Sequence, residues 1–425
     1  MPPIRFIHAA DLHLDAAFSG LSRDIPADFA ERLRTATFTA FRRLLDLCER
    51  ESPDFLLLAG DVYNQEDASV SAQLALRDGF RRLESLSIPV FLVHGNHDPL
   101  ASRLRSVRWP GNVTVFGELP DAVPVFRKGE ETPFAIIHGA SHASGRETRN
   151  LAALFRRTEA CGLHVGLLHA TPGDADGVAR YAPFSQEDLK ASGMDYWALG
   201  HIHDRREVCR EPLAAYPGCT QGLHINEPGE KGCLLVTAEA RPDGGYAVRT
   251  SFRPLGPAVW KTLDMDLGGA ASLDELENRL RTGLDRAAAE VWSGCEMLLV
   301  RLRLQGRTEL DGLLRKGTTC AELADRLREG GNGVPRIWIK DIDVATRPCV
   351  ERGALLERED LLGEVFRLSE AARTASGLQA LREGPLAPLF AHARAGKALE
   401  PLTDEELARL LDDAESLCLD LLEND

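Results

Sequence analysis

Three observations predict an α/β fold built from layered sheets. Six short apolar runs of strand length lie within about the first 200 residues, helical patterns separate them, and Pro or Gly marks the returns to strand. The runs are Ile4–Ala9, Phe55–Ala59, Val90–Val93, Phe134–Ile137, Val165–Leu168 and Tyr196–Leu199. After the first, Ala27–Glu51 has helical spacing, with Phe38, Phe41, Leu44, Leu45 and Cys48 on one face, and Pro53 punctuates the return to strand. After the second, Ala68–Leu86 repeats the helical pattern and Pro89 succeeds it. From about Val208 to Arg253, short alternating segments are broken by the turns YPGCTQG, NEPGEKG and RPDGG, which predicts β-hairpins completing the same domain. Beyond Pro254–Pro257 the order is strand Val259–Leu267, helix Leu273–Val291, strand Leu298–Leu304, helix Cys320–Arg328 and strand Arg336–Val344. Past Pro348 the pattern is helical and acidic, and Leu407, Leu410, Leu411, Ala414, Leu417, Leu421 and Leu422 are expected to form one apolar stripe. The predicted domains are residues 1–255, a small α/β unit at 256–346, and a helical tail at 347–425.

Length and composition set bounds on function. With 425 residues, 44% of them apolar and 27% charged, the chain is an ordinary globular one with room for two or three domains. Its nine cysteines are scattered without a CxxC pair, which argues against a disulfide framework and a zinc-thiolate site. No apolar run approaches the ~18 residues of a membrane span, and MPPIRFIHAADLHLD lacks the basic and apolar regions of a secretory signal. The expectation is a soluble cytoplasmic chain without membrane partners. Net charge is −15, but residues 350–425 alone hold 8 basic and 17 acidic side chains and so carry −9. The main body is close enough to neutral that a nucleic-acid substrate stays open, given a local basic patch or a partner.

The chemistry lies in the residues just past the strands. Five of the six apolar runs lead into a polar cluster: Asp11 with His13, Gly60-Asp61, Gly95-Asn96-His97-Asp98, His169, and Gly200-His201-Ile202-His203. Each motif alone is weak, and a lone His is more often a satisfied structural residue than a ligand. Five in order, each after a strand, point to one site, because loops at the carboxyl ends of α/β strands converge. Asp11, Asp61 and Asn96 offer oxygens, and His13, His169, His201 and His203 offer imidazoles. This set suits borderline divalent ions, and seven side chains are about right for two ions sharing a carboxylate. A pair of ions ~3.5–4 Å apart clamps a phosphate and generates a hydroxide nucleophile.

In that order, DLH, GD, GNHD, a lone His and GHIH resemble the calcineurin-like metallophosphoesterases. Within that superfamily, FIHAADLHLD, GDVYNQEDAS, VHGNHDPL, LLHATPGD and YPGCTQGLHINEPGEKGC resemble the SbcD-type double-strand-break repair exonucleases and their YhaO-like relatives. The resemblance spans roughly residues 4–255 and is weak beyond. It implies a metallophosphoesterase β-sandwich flanked by helices, with a small α/β capping domain and a helical C-terminal tail. It also implies one metal held by Asp11, His13, Asp61 and His203 and a second by Asp61, Asn96, His169 and His201, with Mn²⁺ the expected ion. His97 would orient the phosphate and protonate the leaving oxygen, with Asp98 holding its ring. Tyr63 fits the branch, whereas Asn64 replaces its common acidic or His residue, which bears on how the substrate strand is handled. The implied function is hydrolysis of DNA phosphodiester bonds as an exonuclease, with endonuclease activity open. The implied partners are DNA and an SMC-like (SbcC-type) ATPase, with homodimerisation left open.

Two alternatives stand beside this reading. One is a phosphodiesterase or phosphatase for small or protein-bound phosphates, which the long C-terminal part disfavours. The other is a non-catalytic scaffold for an SMC-like ATPase, which the intact donor set disfavours. Of the remaining histidines, His8, His142 and His164 carry no assigned role, His94 and His138 are expected to be structural, and His224 is equally a groove or a loop residue. Arg146, Arg149, Arg156 and Arg157 read better as a solvated helix face than as a DNA track.

Overall fold

The computed structural model describes residues 2–21, 25–64, 69–101, 107–173, 180–242, 244–329, 333–349, 352–391 and 402–422. The predicted helix start at Ala68, residues 65–68 of GDVYNQEDAS, Asp174 of LLHATPGD, and tail residues 350–351, 392–401 and 423–425 lie outside them. The chain forms two compact units: residues 1–266, 274–304 and 316–344, and residues 267–273, 305–315 and 345–425. The segment 256–346 is thus shared between them.

Two six-stranded sheets form the centre of the first unit. The first sheet contains β1 (Ile4–Ala9), β2 (Phe55–Ala59), β3 (Val90–Val93) and β4 (Val113–Val115), and the second contains β5 (Asp121–Val125), β6 (Ala135–Ala140), β7 (Leu163–His169), β8 (Tyr196–Gly200), β9 (Arg206–Arg210) and β10 (Leu213–Tyr216). The hairpin β11 (Gly232–Ala240) and β12 (Tyr246–Pro254) returns to the first sheet, in the order β12-β11-β1-β2-β3-β4. Strands β1 to β4 are parallel there, as are β6, β7, β8 and β10 in the second sheet.

The period-two alternation of strands explains the layering. In β2, Phe55, Leu57 and Ala59 face the inter-sheet core with Phe6, Phe91, Ile137, Val165 and Tyr196. Leu56 and Leu58 face the other way, where they pack with Phe41, Leu44, Leu76 and Phe80 of α2 (Ala36–Glu51) and α3 (Val70–Ser85). Both faces are covered, as the uninterrupted run FLLLA implies. The predicted helix Ala27–Glu51 is instead two helices, α1 (Ala27–Arg34) and α2, because Thr35 leaves the helical path at φ −97°, ψ 3°. Behind the second sheet, Leu168, Trp197 and Leu199 pack against Leu151, Phe155 and Leu189, the last in α4 (Gln186–Ala191).

A third sheet joins β13 (Ala258–Asp266), β14 (Met297–Gln305) and, after the two-residue β15 (Arg307–Thr308), β16 (Arg336–Val344). The helices α5 (Leu273–Glu290), α6 (Asp311–Leu314) and α7 (Gly317–Glu329) alternate with these strands along the chain. Phe29 and Leu33 of α1 pack on Trp260, Met297, Leu299 and Trp338 of this sheet. Within the linking segment Pro254–Pro257, Leu255 is buried, and the Leu255 and Gly256 amides donate to the Lys231 carbonyl at 2.9 and 3.1 Å.

In the second unit, β15 pairs with β17 (Arg347–Pro348), followed by α8 (Arg352–Leu356), α9 (Leu361–Ala372), α10 (Ala375–Glu383), α11 (Ala387–Ala391) and α12 (Asp404–Leu422). The single leucine stripe expected on α12 is not what forms. Leu407, Glu415 and Leu419 are buried at i, i+8 and i+12, on one broad face of the helix, whereas Leu410, Leu417 and Leu421 are exposed. Glu415 is tolerated on the inner face because Arg352 donates to it at 2.6 and 2.9 Å and Arg373 at 3.1 Å. Among the described residues no helix is long and apolar enough to cross a membrane.

Candidate metal centre

The carboxyl ends of β1, β2 and β3 in one sheet and of β7 and β8 in the other deliver the site. The backbone leaves β1 and β2 in an unusual conformation: φ is +51° at Asp11, +40° at His13 and +49° at Asp61, and His201 after β8 stands at +104°. A positive φ costs a non-glycine residue about 1–3 kcal/mol, so the surrounding structure must impose it. It does so by zipping the loops together: the amides of Asp11, His13 and Leu14 donate to the carbonyls of Gly60, Asp61 and Val62 at 3.1, 3.0 and 3.1 Å. Asp98, fully buried, ties in the β3 loop by accepting from the amides of Gly95 (2.7 Å), Val62 (3.0 Å) and Asp61 (3.3 Å). This corrects the expectation that Asp98 holds the His97 ring: its oxygens serve the backbone, and the imidazole beside it is His94, whose Nδ1 is 3.3 Å away. Gly95 is required where it stands, because a Cβ there would overlap Asp61 Oδ1 and the His169 ring.

All seven side chains expected around the metals meet in this crevice. Asp11, His13 and His203 place one donor atom each within 4.8 Å of one another, and so do Asp61, His169 and His201. Each triad therefore combines donors from both sheets. Asp61 Oδ2 lies 3.3 Å from His169 Nε2 and 4.0 Å from His13 Nε2, so this one oxygen faces both triads, while Oδ1 accepts the His97 amide at 2.9 Å. Asn96 Oδ1 lies 3.0 Å from His169 Nε2.

The hydrogen bonds behind the imidazoles show what the donors are arranged for. His13 Nδ1 lies 2.6 Å from Asn64 Oδ1, and His203 Nδ1 lies 2.6 Å from Glu227 Oε1. Both partners are acceptors, so each Nδ1 carries the proton and each Nε2 presents a lone pair. Those two Nε2 atoms face each other at 3.1 Å. His169 repeats the pattern: Nδ1 donates to the Ala59 carbonyl at 2.9 Å, and Nε2 is turned toward the oxygens of Asn96 and Asp61. Lone pairs converging on lone pairs repel unless a cation lies among them, so the residues fit divalent ions, with the far nitrogen of each ring fixed in the manner usual for metal-binding histidines. The electrostatics show that this crevice favours positive charge: burial disfavours charge on His169, yet the Asp61 and Asp11 carboxylates outweigh it and lift its pKa to about 9, so a proton on the imidazole takes the cation's place until a metal displaces it.

His97 is exposed at the mouth, its ring 5.2 Å from that of His13. The other histidines and the arginines stand apart from this group or behind it. His8 is buried between the Tyr196 hydroxyl (2.9 Å) and the Leu199 carbonyl (3.2 Å), and burial lowers its pKa to about 3. His138 and His164 stack on each other, and His142 Nε2 bonds the His169 carbonyl at 2.6 Å. His224 Nδ1 accepts the Asn226 amide within its own loop. Arg149 and Arg157 pair with Glu147 and Asp195, and Arg156 bonds the Ala153 and Phe155 carbonyls. Arg146 is exposed. These arginines do not share a helix face, since the only helix among them is the three-residue 3-10 turn Ala152–Leu154.

Three contributors stand outside the expected donor set. Asn64 bears on the site by positioning His13, where strand handling was the expectation. Glu227 lies in a turn-rich stretch that resembles the repair-nuclease branch without marking it as a partner of His203, 24 residues away. Lys231, buried, donates to the His203 carbonyl at 3.0 Å and to Asp204 at 2.9 Å. A further cluster of His203, Cys219 and Glu227 is explained by the His203–Glu227 bond, and burial pushes the Cys219 thiol well up. Replacing Glu227 with Gln should weaken divalent-metal binding roughly 10- to 100-fold in a calorimetric titration while the circular dichroism spectrum stays unchanged.

The chain is similar in sequence to known proteins. Residues 4–205 match the calcineurin-like phosphoesterase family, and residues 260–347 match the middle domain of metallophosphoesterase YhaO. The chain is 34% identical over 388 residues to the uncharacterized metallophosphoesterase YhaO of Bacillus subtilis, covering 90% of this chain and 91% of that one. It is 25% identical over 308 residues to the DNA double-strand break repair protein Mre11 of Aeropyrum pernix, covering 68% and 69%. A solved structure, TT1561 of Thermus thermophilus, aligns with 14% identity over 59% of this chain and 98% of that one, with a TM-score of 0.34.

Proposed function

Because this chain belongs to the calcineurin-like metallophosphoesterase family, we propose that it hydrolyses phosphodiester bonds in DNA, as an exonuclease serving DNA repair. The observation that carries this reading is the pair of donor triads with Asp61 Oδ2 facing both. In this proposal Asp11, His13 and His203 hold one divalent ion, Asp61, His169, His201 and Asn96 hold the other, and Asp61 is shared. When bound, the ions, here taken as Mn²⁺, supply Lewis-acid polarisation of a phosphodiester and of water. Asn64, Glu227 and the Ala59 carbonyl hold the Nδ1 protons, so that Nε2 is the nitrogen each ring offers to an ion. His97, exposed beside them, steadies the phosphate and gives a proton to the departing oxygen. Support for DNA as substrate comes from the lower-identity similarity to Mre11 proteins. The test is hydrolysis of linear duplex, single-stranded and hairpin DNA with Mn²⁺, Mg²⁺ or EDTA. Metal-dependent shortening of the strands is expected, and activity confined to a small phosphodiester would overturn the DNA assignment.

For partners, we propose that the acidic tail docks an SMC-like ATPase whose basic surface brings the DNA. Its support is the excess negative charge of residues 350–425 together with exposed Leu410, Leu417 and Leu421 on α12. Leu417→Asp combined with Leu421→Asp should abolish co-purification with the ATPase while hydrolysis of a small phosphodiester persists. Undiminished co-purification would remove the tail from that role.

A further inference from the structure

At the carboxyl ends of β3 and β4 lies a cavity of about 340 Å³, lined in part by Tyr63, Gln73, His94, Val107, Trp109 and Phe116. Its walls continue the loops that carry the metal donors: Tyr63 lies two residues after Asp61, and His94 precedes Asn96 by two. His94 is 6% exposed, and its Nδ1 is turned to Asp98, the carboxylate that holds the Asp61 and Val62 amides. That nitrogen is buried without a hydrogen bond. Trp109 is half-buried, with its ring edge-on to Phe80 at 5.4 Å.

We propose that this cavity receives an unpaired nucleobase of the strand being cut, a proposal that rests on the DNA phosphodiesterase reading above. Aromatic walls offer stacking faces to a flat heterocycle, and the His94 imidazole at the lining offers a polar group to its edge, the combination by which proteins take up a base outside a duplex. The volume falls at the small end of ligand pockets, about 300–1,000 Å³, which suits one heterocycle rather than a stacked pair. Sharing loops with the metal centre selects a group esterified to the phosphate bound there, so a free apolar ligand is the poorer fit. Frayed or single-stranded ends are then the preferred substrates, since a paired base cannot enter.

The experiment compares the full chain with Mn²⁺ on an end-labelled single-stranded oligonucleotide and on the same strand made abasic through its reacting end. Stacking of one base predicts a preference in kcat/KM of roughly 5- to 150-fold for the base-bearing strand. Trp109→Ala, which removes a stacking face, and Val107→Trp, which fills the cavity, should each bring that ratio toward one. If Trp109→Ala does not fold, Val107→Trp and the wild-type comparison decide the matter. Equal wild-type rates on both strands, or an undiminished preference in the folded variants, would overturn the pocket and leave DNA hydrolysis standing. Cleavage of neither strand, with hydrolysis of bis(p-nitrophenyl) phosphate retained, would overturn both.

Discussion

Asp61→Asn should remove nearly all phosphodiesterase activity and lower the occupancy of both ions together. Its Oδ2 is placed toward His169 and His13 at once, and an amide oxygen lacks the charge to serve two cations. Oδ1 also accepts the His97 amide, a bond that Asn can keep only by turning its NH2 group, a donor, toward the ions. Activity and Mn²⁺ stoichiometry measured on the same sample decide it. Retention of more than about a tenth of the rate, a barrier change below ~1.4 kcal/mol, would show that Asp61 is not shared between the ions.

His97→Asn should separate binding from chemistry. The ring is exposed at the mouth and lies beside His13 without joining either donor triad. Loss of a proton donor lowers turnover by roughly 10²- to 10⁴-fold, and two ions should still bind. A calorimetric titration that finds one site missing would make His97 a ligand and overturn the division of roles.

The sequence is most legible where burial and chemistry leave local marks. FLLLA and VFLV at β2 and β3 are apolar on both faces because helices cover one and the opposite sheet covers the other, and their limits coincide with the predicted ones. The polar clusters are legible because each sits immediately after such a run. Strands β4 and β5 give no such signal, since VTV and DAVPV are half-exposed edge segments with no apolar contrast. Spacing puts Asp98 next to His97, whereas the turn directs its carboxylate to three amides and His94. Glu227 and Asn64 cannot be found by spacing, because contacts 24 and 51 residues away depend on how the loops close. On α12 a permissive set of leucines hides the real inner face, which includes a charged residue.

Because neither donor triad belongs to one sheet alone, a bound ion is a rivet through the sandwich. Asp11 and His13 on one side with His203 on the other, and Asp61 facing His169 and His201, make separation of the layers at that edge impossible without releasing metal. The ions therefore bear on mechanical integrity as well as on reactivity: saturation at about 100 times Kd adds about 2.7 kcal/mol to the folded state. Chelation would let the crevice edge open first, with proteolytic nicking beginning at the strand-end loops while the inter-sheet core of Phe6, Phe55 and Tyr196 still holds.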